Sequence, residues 1–201
     1  MDGTIGIYQQ IFQINPQNNL IEMKPTVVLA SASQSRCTLL RNAGIDILQD
    51  PAAVDENAVK DTSRKRKESA SNIAENLAEL KAQRVSHRRA GALVIGADQM
   101  LQCGGTWFDK PSDLVEARGH LIALRGKTHE LLSAVCVVRD GECLWRYLES
   151  AQLTMRPFSD GFIDEYLAAT GDGVCTSVGA YQLENRGAQL FSRIEGNYSG
   201  I

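Results

Sequence analysis

Two stretches of this sequence bring together side chains that could do chemistry. Thr26-Val27-Val28-Leu29-Ala30 is a short, largely β-branched run that reads as a buried strand, and it delivers Ser31, Ser33, Ser35 and Arg36 into the opening turn of a helix. Unpaired backbone N–H groups at a helix start, together with hydroxyls and a guanidinium, make an anion site, phosphate above all. A second apolar run, Leu93-Val94-Ile95, leads through Gly96 and Ala97 to Asp98, which is read at the C-terminal end of that strand; Lys110 follows, just before Pro111. A carboxylate at a buried strand end can hold a divalent cation or take a proton from water. Taken singly, the serines read equally as a helix N-cap and Asp98 as a turn residue; their joint appearance strengthens the chemical reading of both. No G-x-x-x-x-G-K-[ST] loop is present, so the anion site is not of the Walker type.

The elements that must position these residues follow from periodicity and punctuation. The first helix runs through Arg36, Leu39, Leu40 and Ala43 and stops at Gly44. A second is expected from about Ser71 to Ser86, with Ile73, Leu77, Leu80 and Val85 near one face and Asn72 as N-cap. A third follows Pro111, capped by Ser112, with Leu114, Ala117, Leu121 and Leu124 as its stripe and Gly126 as its stop. Leu131–Val138 and Cys143–Met155 read as strands joined at Asp140-Gly141, a hairpin signal. Ser159 opens a fourth helix that Gly171 ends. Strands and helices alternate without strict βαβ regularity, which favours an α/β domain with a mixed sheet.

Composition narrows the function classes. The 201 residues, 43% hydrophobic and 22% charged, suit one globular domain. Twenty-one Lys and Arg against 24 Asp and Glu give a net charge of −3, which argues against a dedicated duplex-DNA binder but not against a basic pocket for a small anion. No apolar run approaches the roughly 20 residues of a membrane span, and no signal-type segment opens the chain. Five cysteines without a C-x-x-C pair suit reduced thiols in a cytoplasmic protein. The basic run Arg64-Lys65-Arg66-Lys67 reads as a solvated loop. His87, His120 and His129 have no ligand spacing and are expected at the surface or in supporting roles. Trp107 and Trp145 are read as packing residues, and residues 1–24, rich in Gln and Asn, as a loosely ordered extension of a single domain over 25–201.

Several segments occur in an order that carries a family resemblance: V-V-L-A-S-A-S-Q-S-R-C-T-L-L from Val27, I-G-A-D-Q at 95–99, D-K-P at 109–111, L-R-G-K-T-H at 124–129, V-G-A-Y at 178–181 and I-E-G-N-Y at 194–198. The chain resembles the Maf family, the septum-formation-protein homologues that act as nucleoside triphosphate pyrophosphatases. The resemblance implies a mixed, curved sheet flanked by helices, with two lobes around a cleft, similar to inosine-triphosphate pyrophosphatases. It implies cleavage between the α and β phosphates with a divalent cation, magnesium or manganese. Mapped onto this sequence, it makes Asp98 the proton acceptor. Arg36, Lys81 and Lys110 join Ser31 and Ser33 in binding phosphate, and Glu56 joins Asp98 in holding the metal. Without the resemblance, Lys81 would be read as a solvated position on an amphipathic helix.

Three positions that divide the family's dTTP/UTP branch from its 7-methyl-GTP branch read Ser35, Gln99 and Glu184 here. Gln99 and Glu184 resemble the 7-methyl-GTP branch. Ser35 matches neither and cannot stack on a methylated base as a Trp would. The reading is therefore a guanine-type or broad substrate. The chain departs from the family at Thr176-Ser177-Val178, where Asp-Lys is usual, and the C-terminal helix that the family carries after I-E-G-N-Y is expected to be missing. The expected partner is a nucleoside triphosphate, with no nucleic acid and no membrane, and with room for a homodimer. The alternative function is a non-catalytic nucleotide-binding regulator of cell division.

Overall fold

The computed structural model describes residues 25–196. The expected N-terminal extension, the last residues of the I-E-G-N-Y segment and the expected lack of a C-terminal helix lie outside the described residues. Seven strands form one mixed sheet: β1 (Val27–Leu29), β2 (Ile47–Gln49), β3 (Leu93–Cys103), β4 (Thr106–Phe108), β5 (Thr128–Arg139), β6 (Glu142–Met155) and β7 (Phe191–Glu195). Their order is β2-β1-β3-β5-β6-β7, with β4 paired to β3. Strands β2, β1 and the first part of β3 are parallel, and all other pairings are antiparallel. The β5–β6 turn falls at Asp140-Gly141, both at positive φ (49° and 82°), which is what a two-residue hairpin turn demands.

Among the described residues five α-helices flank the sheet: α1 (Gln34–Asn42), α2 (Glu56–Arg66), α3 (Ala70–Ser86), α4 (Leu114–Leu124) and α5 (Asp160–Thr170). Caps differ from expectation at two starts. Ser69, not Asn72, accepts the Asn72 N–H at the head of α3, and Asp113, not Ser112, accepts the Glu116 N–H at the head of α4. Each start carries two residues able to cap, three positions apart at α3 and adjacent at α4, and sequence alone does not arbitrate between them. The Arg64–Lys67 run is not a loop: it forms the last turn and left-handed cap of α2, where basic side chains suit the negative end of the helix dipole.

Alternation along β3 assigns its side chains to two faces. Val94 and Met100, with Leu132, Ala134, Cys136 and Val138 of β5, pack under the apolar stripe of α3. On the opposite face, Ile95 joins Leu29 and Cys37 beside α1, whereas Leu101, Leu131 and Leu153 pack under α4 and α5. No helix among the described residues is long and apolar enough to cross a membrane.

The placement of Asp98 corrects the sequence reading. β3 does not end there but continues to Cys103, so Asp98 sits at mid-strand. One edge of β3 is paired to β5 from Val94 to Gln102. The other is paired to β1 only up to Ile95 and to β4 only from Leu101. The edge between is open, and Asp98 lies on it.

Gly96 allows α3 to approach this stretch. A Cβ at Gly96 would lie 2.0 Å from the Ala78 carbonyl oxygen and 2.9 Å from the Ala82 Cβ, so only glycine lets the helix come close enough for Lys81 to reach Asp98. Gly96→Ala is expected to destabilise the protein toward the upper end of about 1–3 kcal/mol, because backbone must move. Denaturant unfolding measures that loss.

Candidate active site

Four elements converge on the open edge of β3. α1 contributes Ser31, Ser33 and Arg36 at its start. Ser33 is the N-cap, accepting the Arg36 N–H. Ser31 is buried, and its hydroxyl accepts from the Ser33 N–H at 3.2 Å and from Arg36 Nη1 at 3.3 Å. Arg36 Nη1 also donates at 2.8 Å to the carbonyl of Ala97, one of the backbone acceptors that the gap between β1 and β4 leaves without a strand partner. The guanidinium is thereby fixed at the rim of the site.

From α3, Lys81 reaches the same place. It occupies a core position of the helix, four residues after Leu77, and is buried. The period reading placed Leu80 in that stripe; the structure turns Lys81 inward and leaves Leu80 half-buried. Lys81 Nζ donates to Asp98 Oδ1 at 2.6 Å and lies 2.7 Å from Glu56 Oε1, at the first position of α2. A buried ammonium needs such partners, because an unpaired one would cost several kcal/mol.

Asp98 itself is 5% exposed, and its second oxygen, Oδ2, is buried with no hydrogen-bond partner. Burial pushes the Asp98 carboxyl above its ordinary value, the Glu56 charge adds to the effect, and Lys81 and Arg36 oppose it. Glu56 is also partly buried, but the nearby Lys81, Lys60 and Lys110 charges outweigh that and hold its carboxyl below the usual range. Lys110 lies within electrostatic reach of Arg36, Glu56, Lys81 and Asp98, and burial lowers its ammonium, with Arg36 adding to the shift. Arg36 is lowered by burial in the same way. Cations thus crowd a small volume around two carboxylates, an arrangement that favours a polyanion.

The donor set bears on a metal. No group of three or more His, Cys, Asp or Glu occurs as a cage among the described residues. Glu56 and Asp98 present two carboxylates on either side of Lys81, with Asp98 Oδ2 uncommitted. Magnesium takes one or two carboxylates and fills its remaining positions with water and substrate phosphates, so this pair suits it.

Of the remaining positions, Ser35 is exposed in the first turn of α1, and Gln99, on the opposite face of β3 from Asp98, donates to Ser133 Oγ at 3.0 Å. Glu184 is exposed in the turn after Tyr181, on a separate segment. His129 is neither at the surface nor near Asp98: it is 1% exposed and bonded through Nε2 to the Tyr181 hydroxyl at 2.8 Å, and burial lowers it to about 4.

The sequence reading missed Lys60. It lies one turn after Glu56 on α2, is buried, and its Nζ lies 2.5 Å from Asp109 Oδ1. Arg64, a further turn on, reaches Asp109 Oδ2 at 3.3 Å and stacks over Trp107 at 5.1 Å. This face of α2 latches the segment that ends in Lys110. The only signal in the sequence was the i, i+4, i+8 spacing of Glu56, Lys60 and Arg64 on one helix face. Lys60→Met is expected to lower stability by about 1–3 kcal/mol, since Asp109 keeps Arg64 and partial solvation, and to raise KM for any phosphorylated substrate. Denaturant melts and steady-state kinetics read the two effects separately.

Residues 26–201 match the Maf-like protein family. The chain is 56% identical over 174 residues to a nucleoside triphosphate pyrophosphatase of Paramagnetospirillum magneticum, covering 87% of this chain and 90% of that protein. It is 47% identical over 175 residues to another of that name from Granulibacter bethesdensis, covering 87% and 89%. It is 48% identical over 179 residues to a 7-methyl-GTP pyrophosphatase of Rhizobium meliloti, covering 89% and 90%. A match over most of the length, with a mixed α/β sheet beneath it, establishes that this chain belongs to the Maf family.

Proposed function

We propose that the protein hydrolyses a nucleoside triphosphate to the monophosphate and pyrophosphate, with Asp98 as proton acceptor. The observation that carries this reading is the geometry of Asp98: one oxygen is fixed by Lys81 and the other is buried and uncommitted, while burial raises its carboxyl above the ordinary value. The relatives named as pyrophosphatases support the same reaction class.

Water adds across the anhydride between the α and β phosphates. Asp98 Oδ2 takes the proton, and the leaving pyrophosphate carries away the charge that develops on its bridging oxygen. Arg36, Lys110 and Lys81 stabilise that charge; such electrostatic positioning is the main source of rate in phosphoryl transfer. Ser31 and Ser33, with the N–H groups opening α1, hold the phosphate chain. A magnesium or manganese ion, held chiefly by Glu56 beside Asp98 when bound, would neutralise phosphate charge and polarise the reacting phosphoryl group, leaving Asp98 Oδ2 for the proton. The substrate favoured is a guanine nucleotide, 7-methyl-GTP among them, on the resemblance of Gln99 and Glu184 and the name of the Rhizobium relative.

Purified protein with magnesium is expected to release pyrophosphate from at least one member of a triphosphate panel that includes methylated bases. Asp98→Asn should lose about 10²–10⁴ in kcat while its thermal melt stays cooperative. Undiminished release in that variant would remove Asp98 from the role.

A pH profile tests the coupling to Lys81. The base must be deprotonated, so rate rises with pH through the Asp98 pKa. Lys81 holds that pKa down against burial. Lys81→Met removes the opposing charge, so the acidic limb of kcat/KM should move to higher pH. An unmoved or lower limb would show that another group sets it.

A further inference from the structure

The face of β3 opposite Asp98 carries a second set of polar and aromatic groups. Gln99 pairs with Ser133 of β5, and Ser133 pairs with Glu149 of β6, so the three stand in one row across the sheet. One row away toward α1 stand Ala97, Val135 and Tyr147, and beyond them Ile95, Val137 and Trp145. Trp145 and Tyr147 are stacked, with planes 7° apart and centroids at 5.8 Å, and Tyr147 is 48% exposed. The Tyr147 hydroxyl donates to Glu149 Oε2 at 3.4 Å.

The two ends of this surface are walled. α1 packs over Ile95 through Cys37. At the other end the turn Val178–Ala180 closes on Leu101, so tightly that a Cβ at Gly179 would lie 2.5 Å from Leu101 Cδ1. Between the walls lie the Tyr147 row and the Gln99 row. At its β3 edge this surface meets Arg36, which is tied to the carbonyl of Ala97 in the Tyr147 row. A nucleotide whose phosphates lie at Arg36 therefore has a route for its base over Ala97 and Gln99.

We propose that Tyr147 and Glu149 are base-recognition residues: the nucleobase continues the Trp145–Tyr147 stack and lies over the Gln99–Ser133–Glu149 row, where the Glu149 carboxylate reads its edge. This rests on the nucleotide-hydrolase reading above and adds the base subsite to it. Each carboxylate oxygen can accept more than one hydrogen bond, so Glu149 can keep the Tyr147 hydroxyl and still meet the adjacent N1–H and N2–H groups of guanine; uracil and thymine have no such donor pair. The same negative charge suits a cationic N7-methylated guanine. Stacking on a tyrosine ring is tolerant of base identity, whereas the carboxylate is not.

A competing location exists. A surface cavity of about 740 Å³ lies at the other end of α3, lined by Arg64, Lys67, Gln102 and Trp107. The route to it from Lys110 is crossed by the Lys60–Asp109–Arg64 ion pairs, which favours the Tyr147 slot.

The chain has two tryptophans, so each location can report by itself. In a Trp107→Phe background, GMP and 7-methyl-GMP should quench Trp145 emission saturably. Glu149→Gln in that background should weaken the two guanine nucleotides about 10–100-fold relative to UMP, because an amide turns a donor toward the base N–H groups. Tyr147→Ala should weaken all three by similar factors of about 5–100. Quenching confined to Trp107 in a Trp145→Phe background would place the base in the other cavity and overturn the proposal. So would an unchanged guanine-to-uracil ratio in Glu149→Gln. A Trp145 signal that follows protein concentration without nucleotide would assign this face to a second copy, with the same consequence. Because the probes are monophosphates, these readouts do not depend on turnover. Pyrophosphate release without a Trp145 response defeats this inference alone, and a Trp145 response without pyrophosphate release defeats only the hydrolase reading.

Discussion

A single ammonium, Lys81, sits between two carboxylates, and most of the site's geometry follows from its having to be there. Its Nζ lies within 2.7 Å of both Asp98 and Glu56. To bury that charge, α3 must lie close against β3, which requires Gly96 where any side chain would strike helix backbone. It must also bring the start of α2 over the same point, since Glu56 is the first residue of that helix. Burial that is costly for each group alone becomes tolerable for the set; burial leaves the Asp98 carboxyl raised, and the charges of Lys81, Lys60 and Lys110 hold the Glu56 carboxyl lowered.

The open stretch of β3 provides the place for this arrangement. Strands normally consume both backbone edges in pairing, but β1 stops at Leu29 and β4 begins its pairing at Leu101. The gap leaves the Ala97 carbonyl for Arg36, and the guanidinium and the helix start behind it reach the carboxylates without crossing a strand. On the far side, Asp109 is gripped by Lys60 and Arg64, so the segment carrying Lys110 is held by the same helix that supplies Glu56. Alternation along one strand then sends Asp98 to one face and its neighbour Gln99 to the other.

Much of the architecture was legible from the amino acids. Helix stripes, the Asp140-Gly141 hairpin, the Gly171 stop and the mixed α/β class all follow from local physics: periodic burial, positive-φ tolerance and capping hydroxyls act within a few residues of one another. The serine-rich turn and Asp98 were visible as candidates for the same reason, since each lies within a few residues of the end of a short apolar run. Local signals were weaker where two neighbours could do the same job, as at the caps of α3 and α4.

What only the tertiary structure decided is which ionised groups meet. Lys81 is indistinguishable by period from a solvated lysine, and it is buried because β3 offers a glycine and a carboxylate beneath it. Lys60 has no motif around it, and its role exists only because Asp109 arrives from 49 residues away. His129, read as a surface or supporting residue, is a core hydrogen-bonding partner of Tyr181. Asp98 seemed to end a strand, yet the strand continues because β5 pairs with it through Gln102. Sequence determines backbone preference over short distances. The cost of burying charge is settled by partners brought from elsewhere in the chain, so the ionisation and reach of these side chains had to wait for the fold.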